Sequence, residues 1–299
     1  MGGLWQNGSF TWMPENTPLW RQIGLEQGHL LAPNLGYGVT VAVIDTGVDV
    51  YHPALAAALA PAWQWKDFYG GDALPQEERG LGSDGYGHGT NVAGIIRQVA
   101  PNAIILPIRV LGPDGLGDVD KLAQAIQHAT AMGAQVINLS LGSDVSIKAV
   151  ESAIKFATDN GRIVVASSGN TGDTKVNWPA STAADKPNAR RLSVTSVDAF
   201  DRKSTFSAFG KSVEVAAPGE NVFGPAPELQ VAAWSGTSMA APMASGALAL
   251  ALGQKLKVPA DNLVGELINR ATNINNLNDK DTVGKGRLNL GEFLRNVAY

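Results

Sequence analysis

Apolar residues in this chain form short unbroken runs, which alternate with segments whose apolar positions recur at helical spacing. The runs lack the polar alternation of a half-exposed strand, and an unbroken run suits a strand covered on both faces of its sheet. We therefore predict a mostly parallel sheet. Its predicted strands cover residues 39–44, 104–110, 135–140, 162–167, 191–197 and 213–216.

The segments between these runs carry helix signals. Asp118 is placed to cap a helix that ends before Gly133, and residues 146–161, 238–252 and 261–271 form further helical segments. Strands that alternate with helices predict a three-layer α/β/α fold, in which ligands bind beyond the carboxyl ends of the strands.

Composition narrows the class of protein. With 299 residues, of which 44% are hydrophobic, the chain can bury one large core. We predict a single domain over residues 1–299, with residues 1–36 as an N-terminal arm. Trp5, Trp12 and Trp20 indicate that this arm packs on the body by aromatic burial.

Charge and cysteine content exclude several functions. The net charge of -4 and the absence of a basic run argue against nucleic acid as a partner. The chain has no cysteine, so it has no disulfide, thiol nucleophile or cysteine-ligated metal. No stretch of eighteen apolar residues occurs, and residues 1–21 lack the features of a signal peptide, so we expect no membrane partner.

Three motifs carry candidate chemistry. Ser238, in Gly-Thr-Ser-Met-Ala-Ala-Pro, opens an apolar helix, and Pro242 is expected in the first turn of that helix, where its missing N–H costs little. Asp45 ends an apolar strand in Val-Ile-Asp-Thr-Gly, and His88 lies between two glycines in Gly-His-Gly-Thr. A serine, an imidazole and a carboxylate can form a nucleophile, a general base and a group that orients the base.

In this chain order the three motifs resemble those of the subtilisin-like serine proteases, or subtilases. The resemblance covers roughly residues 41–252 and implies an endopeptidase with Ser238 as nucleophile, His88 as base and Asp45 as the residue that orients it. It also implies that Asn170, in Ser-Gly-Asn after the strand 162–167, donates its amide to the oxyanion.

The same resemblance assigns substrate-binding segments. Gly115, Leu116 and Gly117 match one of the two segments between which the family clamps an extended peptide, and Ser140, Leu141 and Gly142 match the other. Ser167, Ser168 and Gly169 match a wall of the primary specificity pocket. Because these three residues are small, we expect a preference for large apolar residues before the scissile bond.

The resemblance also bears on cofactors, partners and localisation. It implies no cofactor for the chemistry and peptides or unfolded proteins as substrates. A removed pro-segment or a protein inhibitor is a further possible partner, and we expect a monomer. Since extracellular members are made with a signal and a pro-segment, a secreted mature form is favoured here, with an intracellular enzyme as the alternative.

Calcium is the metal to consider. Ala54 stands where secreted subtilisins have a calcium-binding aspartate, and residues 94–101 lack the oxygen-rich insertion of that site, so we expect this site to be missing. Acidic residues before His88 leave open a different, weaker structural calcium site; they are Asp67, Asp72, Glu77, Glu78 and Asp84.

The motifs allow two other interpretations. Asp45-Thr46-Gly47 also matches the signature of aspartic proteases, but those enzymes need two such carboxylates, and no second Asp-Thr-Gly or Asp-Ser-Gly is present. The remaining alternative is a catalytically silent subtilase-like domain that only binds extended peptides.

Overall fold

A computed structural model describes residues 3–6, 9–79, 84–183 and 190–299, with only the backbone described for 3–6 and 9–12. The strands are β1 Gly3–Gln6, β2 Ser9–Trp12, β3 Thr40–Asp45, β4 Lys66–Asp67, β5 Ile104–Arg109, β6 Val136–Leu139, β7 Ile163–Ser167, β8 Arg191–Val197, β9 Val215–Pro218, β10 Val222–Ala226 and β11 Gln230–Trp234. The helices are α1 Thr17–Gln22, α2 Leu25–Leu31, α3 His88–Val99, α4 Val119–Ala131, α5 Lys148–Asp159, α6 Thr237–Leu252, α7 Leu263–Asn269 and α8 Leu290–Val297.

The central sheet has seven strands in the order β4-β5-β3-β6-β7-β8-β9, and every neighbouring pair is parallel. Alternate residues of β3 enter different cores. Val41 and Val43 pack with α3 and α6, whereas Ala42 and Ile44 pack with α4 and α5. Helices therefore cover both faces of the sheet, and the predicted three-layer α/β/α fold is confirmed.

The prediction missed several elements. The two-residue edge strand β4 and the hairpin of β10 and β11 were not predicted, and neither were α1, α2 and α8. Residues 261–271 contain a shorter helix than expected, since α7 begins at Leu263 after a 3₁₀ turn. The predicted cap at Asp118 is present, because its carboxylate accepts the backbone N–H of Asp120 at 2.8 Å.

Strand β3 lies where the order of strands reverses. From β3 the chain crosses by α3 to β5 on one side, and β6 then pairs with β3 on the other side. Crevices form beyond the carboxyl ends of parallel strands at such a reversal. Asp45, the last residue of β3, lies at this crevice.

The N-terminal segment makes buried contacts with the body. Trp20 is fully buried in the core shared with α3 and α6. Asn16, also buried, donates to Gln98 at 2.8 Å and to the Phe223 carbonyl at 2.7 Å. The side chains of Trp5 and Trp12 lie outside the described residues. No helix in the described ranges has both the length and the apolar character needed to span a membrane.

Candidate active site

Asp45 is held at the end of β3 with its carboxylate fully buried. Its Oδ1 accepts the backbone N–H of Thr46 at 2.8 Å and lies 2.6 Å from Nδ1 of His88. The backbone carbonyl of Asp45 accepts the N–H of Val110 at 2.9 Å. This carboxylate therefore orients the ring of His88 through its contact with Nδ1. The other ring nitrogen, Nε2, takes no part in this contact.

His88 is the first residue of α3. Gly87 before it has a φ of +94°, a left-handed conformation that favours glycine, and this turn brings the imidazole to the crevice. A Cβ on Gly89 would lie 2.0 Å from the Gly47 carbonyl oxygen, so α3 approaches the end of β3 this closely only with glycine at that position. The ring of Trp234 meets the His88 ring edge to face, with 5.6 Å between centroids.

Ser238 is the second residue of α6, at the N-terminal end of the helix. Its Oγ donates to the carbonyl of Ser140 at 3.1 Å, and Oγ of Ser140 donates to the carbonyl of Ser238 at 2.8 Å. This reciprocal pair joins the start of α6 to the carboxyl end of β6.

Pro242 explains the second of these bonds. The expectation that it lies in the first turn is wrong, because α6 begins at Thr237 and Pro242 falls in the second turn. A residue there would normally donate its N–H to the carbonyl of Ser238, but proline has no N–H. The hydroxyl of Ser140 satisfies that carbonyl instead.

Asn170 follows β7 at the same edge of the sheet. Its Oδ1 accepts both the backbone N–H of Thr237 at 2.9 Å and the Thr237 hydroxyl at 3.0 Å. The same hydroxyl accepts the N–H of Gly169 at 3.1 Å. Because the amide oxygen is tied down in this way, the orientation of the exposed Asn170 amide is set and its Nδ2 is left to donate elsewhere. Thr237 is a residue of this site that the sequence did not predict.

A cavity of about 390 Å³ lies beside His88. Both predicted peptide-clamping segments line it, residues 115–117 from one side and residues 140–142 from the other. The lining also includes residues that the sequence did not predict. Five are apolar, Val110, Leu111, Val119, Leu122 and Trp178, and three are the aspartates Asp84, Asp114 and Asp118.

The third predicted segment lies elsewhere. Ser167 and Ser168 are buried and do not line this cavity, and the hydroxyl of Ser168 donates to the Ala208 carbonyl at 3.0 Å. Asn177 lies close to both glycines of the predicted walls. A Cβ on Gly169 would approach Asn177 Cγ to 2.7 Å, and one on Gly142 would approach its Cβ to 2.9 Å.

Three of the five acidic residues before His88 have side-chain partners. Arg109 is buried and pairs with Asp67 at 3.2 Å and with Glu78 at 3.0 Å. Glu77 is also buried and accepts the hydroxyls of Thr46 and Thr90. Among the residues that the structure describes, no three His, Asp or Glu side chains converge on a metal position.

Charge around His88 favours its protonated form. Burial by itself lowers the pKa of His88, but the charge of Asp45, the hydrogen bond to Asp45 and the charge of Glu77 raise that pKa above the ordinary value of 6.5. The pKa of His29 is lowered by burial, as is that of His52. The pKa of His88 is thus shifted in the opposite direction from those of His29 and His52.

The chain is similar in sequence and structure to known proteins. The sequence profile of the subtilase family matches residues 36–286. Thermitase of Thermoactinomyces vulgaris is 38% identical over 229 residues, which are 73% of this chain and 76% of thermitase. Subtilisin BL of Lederbergia lenta is 35% identical over 252 residues, 81% of this chain and 87% of that protein. The crystal structure of a cold adapted subtilisin-like serine proteinase superposes with a TM-score of 0.70 at 30% identity, covering 85% and 88% of the two chains.

We expect the ring of His88 to titrate above 6.5, and the rings of His29 and His52 to titrate below it. Asp45→Asn removes the negative charge that favours the imidazolium, so it should lower the His88 midpoint and leave the other two unchanged. NMR titration of the histidine ring protons measures all three in one sample. A His88 midpoint at or below those of His29 and His52 would contradict the prediction.

Proposed function

The chain belongs to the subtilase family and is a serine protease with endopeptidase activity, and we propose that Ser238, His88 and Asp45 form its catalytic triad. The observation that carries this proposal is the 2.6 Å contact between Asp45 and His88 at the edge of the sheet where α6 presents Ser238. The alternative of a silent peptide-binding domain gives no reason for a buried carboxylate to orient an imidazole in this way.

In the proposed reaction, Oγ of Ser238 turns from the Ser140 carbonyl and gives its proton to Nε2 of His88. The oxygen bonds to the carbonyl carbon of the peptide, and Asp45 stabilises the imidazolium. His88 then returns the proton to the leaving amine nitrogen as the peptide C–N bond breaks. Water, activated by His88, hydrolyses the resulting acyl-enzyme and restores Ser238.

We further propose that the oxyanion formed in both halves of the reaction lies between Nδ2 of Asn170 and the backbone N–H of Ser238. The N-terminus of α6 adds a positive partial charge at this position. Thr237 supports the arrangement, since its N–H and hydroxyl hold Oδ1 of Asn170 and so direct the amide nitrogen.

Ser238→Ala should reduce kcat/KM for peptide hydrolysis to below about a thousandth of the wild-type value, because the nucleophile is lost. The fold should persist, since the hydroxyl makes one hydrogen bond to Ser140 in a half-exposed position. Hydrolysis of an internally quenched peptide measures kcat/KM, and labelling by a fluorophosphonate shows whether a reactive serine is present. Residual turnover at the wild-type level would exclude Ser238, and a wild-type protein that is folded yet unlabelled would favour the silent binding domain.

Asn170→Ala should lower kcat by about a hundredfold or more with little change in KM, because the amide stabilises charge that exists only in the transition state. Thr237→Val and Thr237→Ser form a matched pair: valine removes the hydroxyl that orients Asn170, and serine keeps it. Steady-state kinetics on one peptide give kcat and KM for each variant, and so separate stabilisation of the transition state from binding of the substrate ground state. A rise in KM at constant kcat would mean that Asn170 binds the substrate ground state.

We propose that substrates bind as extended strands between residues 115–117 and 140–142, with large apolar side chains before the scissile bond. The small residues Ser167, Ser168 and Gly169 in the predicted wall support this preference. Asn177 restricts the space for such a side chain, because it lies against Gly142 and Gly169, the two glycines expected to leave room for it.

Asn177→Gly should therefore raise kcat/KM for peptides with Phe before the scissile bond relative to those with Ala, since space opens between the two glycines. Thr174→Gly, an exposed change in the same loop, serves as the control. Mass spectrometric profiling of a peptide mixture gives the preference of each variant. Cleavage confined to Lys and Arg sites in the wild type would refute the apolar preference.

We propose that neither activity nor stability requires calcium. Helix α3 ends at Val99 and β5 begins at Ile104, with no inserted loop between them. Of the acidic residues before His88, Asp67 and Glu78 pair with Arg109, and a guanidinium in this position disfavours a bound cation.

The melting temperature in EDTA should accordingly match that in excess calcium. A ligand that binds only the native state stabilises it in proportion to the logarithm of saturation, so a decrease of more than about 10 °C in EDTA would reveal a tight site. Differential scanning calorimetry in the two buffers, with magnesium as a control for ionic strength, makes the comparison.

We also propose that residues 1–299 form one monomeric peptidase domain, with residues 1–36 as its arm. The buried contacts of Asn16 and Trp20 support this organisation. Peptides and proteins are the substrates of the family, and a pro-segment or protein inhibitor that fills the same cleft is a further proposed partner.

A further inference from the structure

Glu77 is a buried acidic residue that the proposed mechanism does not use. Only 5% of its surface is exposed, and its carboxyl group accepts hydrogen bonds from four donors. The hydroxyl of Thr46 and the backbone N–H groups of Gly87 and Gly89, at 3.1 and 3.2 Å, donate to Oε1. The hydroxyl of Thr90 donates to Oε2.

These donors belong to the two elements that carry Asp45 and His88. Thr46 directly follows Asp45, whereas Gly87 and Gly89 are the two neighbours of His88. Gly89 N–H also donates to the Thr46 hydroxyl at 3.0 Å. Glu77 therefore bridges the turn after β3 and the first turn of α3, the two places whose separation sets the contact between Asp45 and His88.

The loop that supplies Glu77 is attached to the same turn. The N–H of Val48 donates to the Pro75 carbonyl at 2.8 Å. A Cβ on Gly47 would meet that carbonyl oxygen at 2.7 Å, so the loop and the turn are in direct backbone contact. The backbone that leads into Glu77 is thus held against this turn.

The hydrogen-bonding pattern suits a carboxylate. The Thr46 hydroxyl accepts from Gly89 and the Thr90 hydroxyl accepts from the N–H of Asp49 at 2.8 Å, so each hydroxyl hydrogen is free to point at Glu77. Two hydroxyls and two N–H groups directed at one carboxyl group favour its charged form. Burial opposes them and raises the pKa of Glu77 to about 7.

Other charged groups surround this position. Asp45 and His88 are the charges that act on Glu77 directly. Only the backbone N–H of Asp49, and not its carboxylate, is linked to Glu77 through Thr90. The side chain of Arg109 lies against Gly47, and its guanidinium pairs with Asp67 and Glu78. Glu78 is 65% exposed, which makes it a solvent-screened carboxylate beside the buried one.

We propose that Glu77 is a positioning residue for the proposed catalytic pair: its carboxylate fastens the Thr46 turn to the start of α3 and favours the imidazolium form of His88. The inference rests on the proposed function of Asp45 and His88. The charge of Glu77 acts on the protonation of His88, which is an effect that a merely structural residue would not have.

The test compares Glu77→Gln with Glu78→Gln, which removes one negative charge from the adjacent residue. Both are made in the full chain and in the Ser238→Ala background, where autolysis cannot interfere. NMR titration of His88 in that background is expected to show a midpoint lower by about half a pH unit or more in Glu77→Gln and unchanged in Glu78→Gln. In active protein, Glu77→Gln should lower kcat roughly tenfold through loss of alignment, and it should move the acid limb of kcat/KM to lower pH.

A second pair of variants keeps the test valid if Glu77→Gln does not fold. Thr90→Val removes one donor to the carboxylate, favours neutral Glu77 and should lower the His88 midpoint, whereas Thr90→Ser should restore it. Equal His88 midpoints in Glu77→Gln and Glu78→Gln, or in the two Thr90 variants, would overturn the inference. If the folded wild type hydrolyses no peptide, the proposed function fails, and the His88 titration still decides whether Glu77 acts on His88.

Discussion

A carboxylate buried at the end of the central strand is the constraint on which the rest of the site depends. An unpaired buried charge is costly, so Asp45 requires partners. The backbone N–H of Thr46, the imidazole of His88 and the N-terminal end of α3 provide them. Helix α3 must therefore begin at this point and approach β3 closely, which the glycine at position 89 permits. The position of His88 follows from the burial of Asp45.

Much of this architecture could be predicted because it depends on local patterns. Each of the six predicted strands overlaps a strand of the central sheet, although the last, predicted at residues 213–216, is β9 at residues 215–218. The turns around Asp45, His88 and Asn170 carry glycines that are visible in the local sequence. Some of the missed elements lack such patterns, but α8 does not, since Leu290, Phe293, Leu294 and Val297 recur at helical spacing after the cap at Asn289. Strand β4 has only two residues, too few to show a pattern, and β11 has an apolar run at residues 231–234 but is largely exposed and lies outside the central sheet. The pairing of these elements depends on contacts with distant parts of the chain.

The burial of Glu77 is the clearest example of a feature that the sequence did not predict. It lies in Pro-Gln-Glu-Glu, beside an exposed glutamate, and nothing in that pattern separates the buried residue from the solvated one. Its burial depends on donors from the ends of β3 and α3, which are 31 and 13 residues away at Thr46 and Thr90. Thr237 is similar, since its role follows from the distant Asn170 and not from its own surroundings in the sequence.

Pro242 illustrates how a broken local rule can mark a functional position. Proline in the second turn of α6 removes the helical partner of the Ser238 carbonyl, a loss that would destabilise an isolated helix. Ser140 restores the partner from another element, and Asn138 holds the Ser140 hydroxyl at 2.9 Å while accepting the hydroxyl of Ser245 at 2.8 Å. The start of α6 is thereby attached to β6 by side chains as well as by packing. Since the Ser238 N–H and hydroxyl must both face one point in the crevice, this attachment fixes the helix end in the way the proposed chemistry requires.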